Sequence, residues 1–98
     1  MTAAEWLASS ASGAPAELVA RAREWLARVP PTGNASVDLA GAGREALGAV
    51  IASSGGRPSA ADLLAADALV TLALEARAAE DPSSLGEFAA EVRRAGAP

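Results

Sequence analysis

The chain has 98 residues, a length typical of one domain, and a formal net charge of −4 at pH 7. It contains no histidine, cysteine or lysine, and these residue types supply most catalytic bases, nucleophiles and transition-metal ligands. The composition therefore predicts no enzyme, no cofactor and no metal site. The twelve acidic residues outnumber the eight arginines, which argues against nucleic-acid binding because that binding depends on clustered positive charge.

Apolar residues recur at helical spacing along the chain, and no segment alternates with a period of two. This pattern predicts an all-α fold, a small helical bundle of four main helices plus a short N-terminal helix, in a single domain over 1–98. Helix ends are less certain than the helices themselves. The predicted helices cover about 2–10, 15–29, 36–54, 59–80 and 84–95.

Capping signals mark the beginnings of the first two predicted helices. Thr2 and Glu5 have the spacing of a capping box, in which each side chain accepts a hydrogen bond from the backbone N–H of the other residue. Pro15 opens the second helix, where its missing N–H costs nothing. Within that helix, Glu17 and Arg21 are four residues apart, which predicts an ion pair along its surface.

Two tryptophans, Trp6 and Trp25, occur in the same four-residue context, Glu-Trp-Leu-Ala, in the first and second predicted helices. Tryptophan is enriched at the energetic centres of protein interfaces, so both are candidate partner-binding residues. The alternative is that both lie in the core of the bundle.

Glycine and alanine give the third predicted helix a small-residue surface. Such a surface lets a neighbouring helix approach closely, either within the protomer or across a dimer axis. Gly43 and Leu47 on this helix are therefore further candidate partner contacts. Ser36 is predicted to cap the N-terminus of the helix.

Leucine and valine point in nearly all directions around the fourth predicted helix, which indicates that other helices surround it. Asp67 shares a side of this helix with Leu63 and Val70. A carboxylate in such surroundings must be paired or hydrogen-bonded. Asp67 is therefore either the polar contact of a bound ligand or a structural group bonded to Thr71, to an arginine such as Arg44, or to the N-terminus of another helix.

The last two predicted helices begin at serines that have an acidic residue three positions later. Ser59 precedes Asp62 and Ser84 precedes Glu87 with this spacing, which predicts a cap at each serine. The stripe of the fifth helix contains Phe88, which we expect to face the core.

No sequence signal directs the chain to a membrane or out of the cell. The first residues lack a basic segment followed by an apolar run, so no signal peptide is predicted. Charged residues interrupt the most apolar stretch, 60–79, which argues against a membrane span. We expect a cytoplasmic protein.

Alanine supplies about half of the apolar residues, so each packed helix face buries little area. We expect a chain with so little bulk to bury further apolar surface against a second copy or another protein. The predicted function is a non-catalytic interaction module, a scaffold or accessory subunit, that acts through an Ala/Gly/Leu helix face and forms a homo-oligomer. The alternative is a bundle that binds a small apolar ligand, with Asp67 or an arginine as the polar contact.

Overall fold

The computed structural model describes residues 1–95, which form five α-helices and a short 3₁₀ helix and contain no strand. The predicted fold class, a small bundle of four main helices plus a short N-terminal one, is confirmed. No helix within this range is both long enough and apolar enough to cross a membrane. The helices are α1 (Ala3–Ser9), α2 (Ala16–Ala27), α3 (Ala35–Ala52), α4 (Arg57–Glu80) and α5 (Leu85–Ala95), with the 3₁₀ helix at Pro82–Ser84.

Helix α4 contacts every other helix and is the centre of the fold, as its apolar pattern predicts. Its main partner is α3, and the two form an antiparallel hairpin around a four-residue connection. Gly55 and Gly56 in this connection have φ angles of 92° and 105°, a left-handed region that side chains disfavour. The hairpin is the framework on which α1, α2 and α5 pack.

The core between the helices is thin because alanine fills most of it. Ten of the seventeen buried apolar residues are alanines. A buried alanine contributes much less transfer free energy than a buried leucine or phenylalanine. The core has few large side chains: Leu7, Val19, Trp25, Leu39, Leu69, Leu72 and Phe88.

The predicted capping box at the start of α1 is confirmed. Glu5 N–H donates to the Thr2 hydroxyl at 3.1 Å, and Thr2 N–H donates to the Glu5 carboxylate at 2.8 Å. These two bonds hold the pKa of Glu5 below its ordinary value because they favour the charged carboxylate, and the bond from the Thr2 backbone has the larger effect.

The predicted cap of α3 is wrong by two residues. Asn34, not Ser36, is the N-cap, and its side-chain oxygen accepts from Val37 N–H at 3.1 Å. Ser36 lies in the first turn, fully buried, where its N–H and hydroxyl donate to the Glu80 carboxylate at 3.2 and 2.7 Å. The end of α4 therefore places a negative charge at the N-terminus of α3, which the helix dipole favours.

The serine caps predicted for α4 and α5 are also wrong. Helix α4 begins two residues before Ser59, at Arg57, with Pro58 in its first turn, where a missing N–H costs nothing. The Ser59 hydroxyl bonds the Ser53 hydroxyl across the hairpin connection. Ser84 belongs to the 3₁₀ helix before α5, and its hydroxyl donates to the Asp81 carbonyl at 2.9 Å.

Candidate functional site on the outer face of the hairpin

One stripe of exposed and half-buried residues runs along α3 and another along α4, and we call the surface that they form the outer face. At about 100° per residue, both stripes are turned away from the fully buried Leu39 of α3 and Leu69 of α4. These two stripes carry both charged and large apolar side chains. The outer face consists of Arg44, Leu47 and Ile51 on α3 and of Leu63, Asp67 and Val70 on α4.

Two close approaches set the register of α3 against α4. A Cβ atom on Gly43 would lie 2.8 Å from Val70 Cγ2 and 3.5 Å from the Ala66 carbonyl oxygen, and the Ser53 and Ser59 hydroxyls touch near the connection. In this register Arg44 and Asp67 lie at the same level. Ile51 and Leu63 lie nearer the connection.

Large apolar side chains are exposed on the half of the outer face nearest the connection. Ile51 and Leu63 are 60% and 49% exposed, and Leu64 at the edge of the face is 60% exposed. Leu47 and Val70 between them are half-buried, and Leu47 packs on the core. Leu64 also lines a groove against α2. Exposed leucine and isoleucine side chains near one end of a helix hairpin are of the kind that marks an interaction site.

Helix α5 covers the other half of the outer face. Arg77 follows Val70 by seven residues and so lies on the same stripe of α4, and its guanidinium sits 4.3 Å from the centre of the Phe88 ring. Ala40 precedes Leu47 by seven residues and is buried. The outer face is thus a partly occupied surface: the chain covers one end of it and leaves the other end open.

The two charged residues of the outer face, Arg44 and Asp67, are exposed. Within residues 1–94, the one ion pair joins Arg21 to Asp62 at 3.2 Å, and neither Arg44 nor Asp67 makes a side-chain hydrogen bond. The expectation that Asp67 is held by a partner in apolar surroundings is wrong. Asp67 is exposed, and no helix within residues 1–95 covers its side chain.

Trp25, by contrast, is buried, and its Nε1–H donates to Asp62 at 2.9 Å. The Asp62 carboxylate also accepts from Arg21 at 3.2 Å, so the surface pair predicted between Glu17 and Arg21 is replaced by a tie from α2 to α4. Sequence reasoning missed the role of Asp62, since its partners lie 37 and 41 residues away and no local spacing signals them.

The other residues predicted to contact a partner lie in different parts of the structure. Gly43 is buried inside the hairpin, so its small side accommodates α4 of the same protomer. Trp6 is half-buried and packs against the core from α1. Leu47 lies on the outer face. The structure does not bring the two tryptophans and these two α3 residues together in one surface.

Two grooves lie between α2 and its neighbouring helices. A groove of about 760 Å³ runs between α1, α2 and the start of α3, with a mostly apolar lining that includes Leu26 and one arginine, Arg23. The Asp38 carboxylate at its end accepts from Thr32 N–H and hydroxyl at 3.0 and 2.7 Å. A smaller groove of about 300 Å³ between α2 and α4 is bordered by Asp67.

Residues 1–94 contain no cluster of acidic side chains placed to hold a metal ion. No protein-family model matches the sequence, and no curated protein or solved structure is significantly similar to it.

Proposed function

We propose that this protein is a non-catalytic interaction module that self-associates through the open half of its outer face. The observation that carries the proposal is the placement of the large apolar side chains. Alanine fills the core, whereas Ile51, Leu63 and Leu64 are largely exposed. Because no helix within residues 1–95 covers these side chains, burial in an interface is the way in which they would contribute to stability.

The gain from such burial is moderate. A leucine or isoleucine that moves fully from water to an apolar environment gains about 1.5–3 kcal/mol, and about half of each of these three side chains remains to be buried. Six such side chains in a pair of copies thus contribute several kcal/mol, against an association cost of about 4 kcal/mol or more. The difference is at most about 5 kcal/mol, which supports a weak and reversible association near the millimolar range rather than an obligate one.

A single charge at one of these side chains tests this proposal. We expect Leu63→Glu to convert a dimer into a monomer in sedimentation velocity at millimolar concentrations, because the carboxylate would be buried without a partner. Ala8→Glu, on the exposed side of α1, is the matched control and should leave the dimer unchanged. Circular dichroism should show the same helix content in all three proteins. A wild-type protein that stays monomeric at high concentration would refute the proposal.

The 760 Å³ groove supports a second candidate function, the binding of a small apolar ligand. Its volume lies in the range of small-molecule sites, and Arg23 supplies the polar contact that such a site needs. Native mass spectrometry of the purified protein would then show a bound mass that Arg23→Gln reduces and Arg57→Gln, an exposed arginine outside the groove, does not. An unliganded mass in every preparation would count against this candidate.

A further inference from the structure

We infer that a groove between the end of α2 and the middle of α3 binds a small organic anion, whose phosphate or carboxylate group meets Arg28 and Arg44. This site differs from the exposed apolar side chains and from the groove of the proposed function, and it depends on neither. Two observations carry it: the open space in the groove and the arginines that border it.

The groove has room for a small molecule. Its volume is about 810 Å³, which lies in the range of small-molecule sites. Small residues of α3 form one wall, and a Cβ atom on Gly48 would meet no atom within 4 Å. A Cβ on Gly41 would lie 3.4 Å from Val29 Cγ1, so the chain after α2 approaches α3 closely there. The space beside Gly48 is therefore the open part of the groove.

Arg28 is held in place beside the groove. Its guanidinium carbon lies 4.3 Å from the centre of the Trp25 ring, a contact in which the ring attracts the cation. The ring is buried, and its Nε1–H donates to Asp62 at 2.9 Å. Because the face of the guanidinium rests on the ring, the N–H groups at its edge stay free to donate. An arginine that is already ordered loses less side-chain entropy when a ligand binds.

Arg44 borders the same groove from α3. Both arginines are exposed, and within residues 1–94 neither makes an ion pair or a side-chain hydrogen bond. Among these residues, Glu45 is the one acidic side chain that lines the groove. The groove thus carries a positive excess on a chain whose net charge is −4. Guanidinium groups suit phosphate and carboxylate because they donate two parallel hydrogen bonds to them.

Phenyl phosphate is a suitable probe, because its phosphate matches the arginines and its ring matches the apolar Val29 and Ala49 of the lining. We expect a titration to shift the backbone amide NMR signal of Gly48 and the indole N–H signal of Trp25 saturably. Phenol, which has the ring without the charge, should not. The protein concentration is kept well below the millimolar range, so that association of two copies does not contribute.

Substitutions of the charged residues test which groups hold the probe. We expect Arg28→Gln and Arg44→Gln each to weaken binding about tenfold or more, because each removes a charged hydrogen-bond donor. Glu45→Gln should strengthen binding, since it removes a like charge. Arg93→Gln, an exposed arginine on α5 with the same change in net charge, is the matched control and should bind as the wild type does.

Gly48→Leu tests the groove without changing a charge. The new side chain has space at this position, so the fold should persist in circular dichroism while binding is lost. No saturable shift in the wild type would overturn the inference, as would equal binding of phenol. Binding that survives both Arg28→Gln and Arg44→Gln, or that Arg93→Gln weakens equally, would overturn the site. None of these results bears on the effect of Leu63→Glu, which tests the proposed function separately.

Discussion

Gly43 shows how one missing side chain sets the distance between the two longest helices. A Cβ at this position would lie 2.8 Å from Val70 Cγ2 and 3.4 Å from Val70 N, and the β-branched Val70 has little rotamer freedom in a helix. The glycine-rich pattern of α3 predicts a close approach but leaves open whether the neighbour belongs to the same protomer. Only the packed hairpin answers that question.

We expect Gly43→Ala to lower the free energy of unfolding by about 1–2 kcal/mol, because the overpacking cost exceeds the gain in helix propensity. Gly48→Ala is the matched control: it has no atom within 4 Å of the added Cβ and should raise stability by about 0.5–1 kcal/mol. Both are measured by urea unfolding in the Leu63→Glu background, so that dimerisation does not contribute. Equal effects of the two substitutions would contradict this role of Gly43.

Asp67 illustrates a residue that the sequence cannot place. Its stripe with Leu63 and Val70 resembles a buried one, since leucine and valine dominate it. Whether another helix covers a stripe depends on the length and direction of that helix, and here on the position of α5. The residue pattern therefore identified Asp67 as unusual, but it did not show that its side of α4 is open.

At the scale of the helices, Asp62 is the polar tie between α2 and α4. It accepts from the buried Trp25 Nε1–H at 2.9 Å and from the half-exposed Arg21 at 3.2 Å. Asp62→Ala leaves the indole N–H without a partner, and we expect a loss of about 1–3 kcal/mol in urea unfolding. Asp62→Asn keeps an acceptor oxygen and should lose less than about 1 kcal/mol. If the alanine variant were as stable as the asparagine variant, Asp62 would not tie the helices.

The helices could be predicted from the sequence, whereas the hydrogen bonds between helices could not. A helix depends on residues close together in the chain, and these bonds join residues far apart in it. Periodicity and breakers such as Pro15 act within a few residues, so the predicted ends of the five helices lie within two residues of those observed. Caps at Asn34 and Gly56 were missed where a serine stood nearby. The bond from Ser36 to Glu80 spans 44 residues, and no local pattern encodes it.

In the molecule as a whole, small side chains dominate the core and several large apolar side chains are exposed. The radius of gyration, 12.7 Å, is that of an ordinary folded domain of about 100 residues, so the helices pack fully despite the alanine-rich core. The composition correctly predicts how thin that core is. The composition does not predict where the exposed leucines lie, because their positions depend on how all the helices pack.

Helix α5 also limits where a molecule bound to the outer face, as proposed, could lie. It packs on one end of this face, where the Arg77 guanidinium lies 4.3 Å from the centre of the Phe88 ring. A bound molecule displaced toward α5 by one helical turn, about 5 Å, would collide with it. Helix α5 thereby closes the hairpin to binding at one end and leaves access at the end near Gly55 and Gly56.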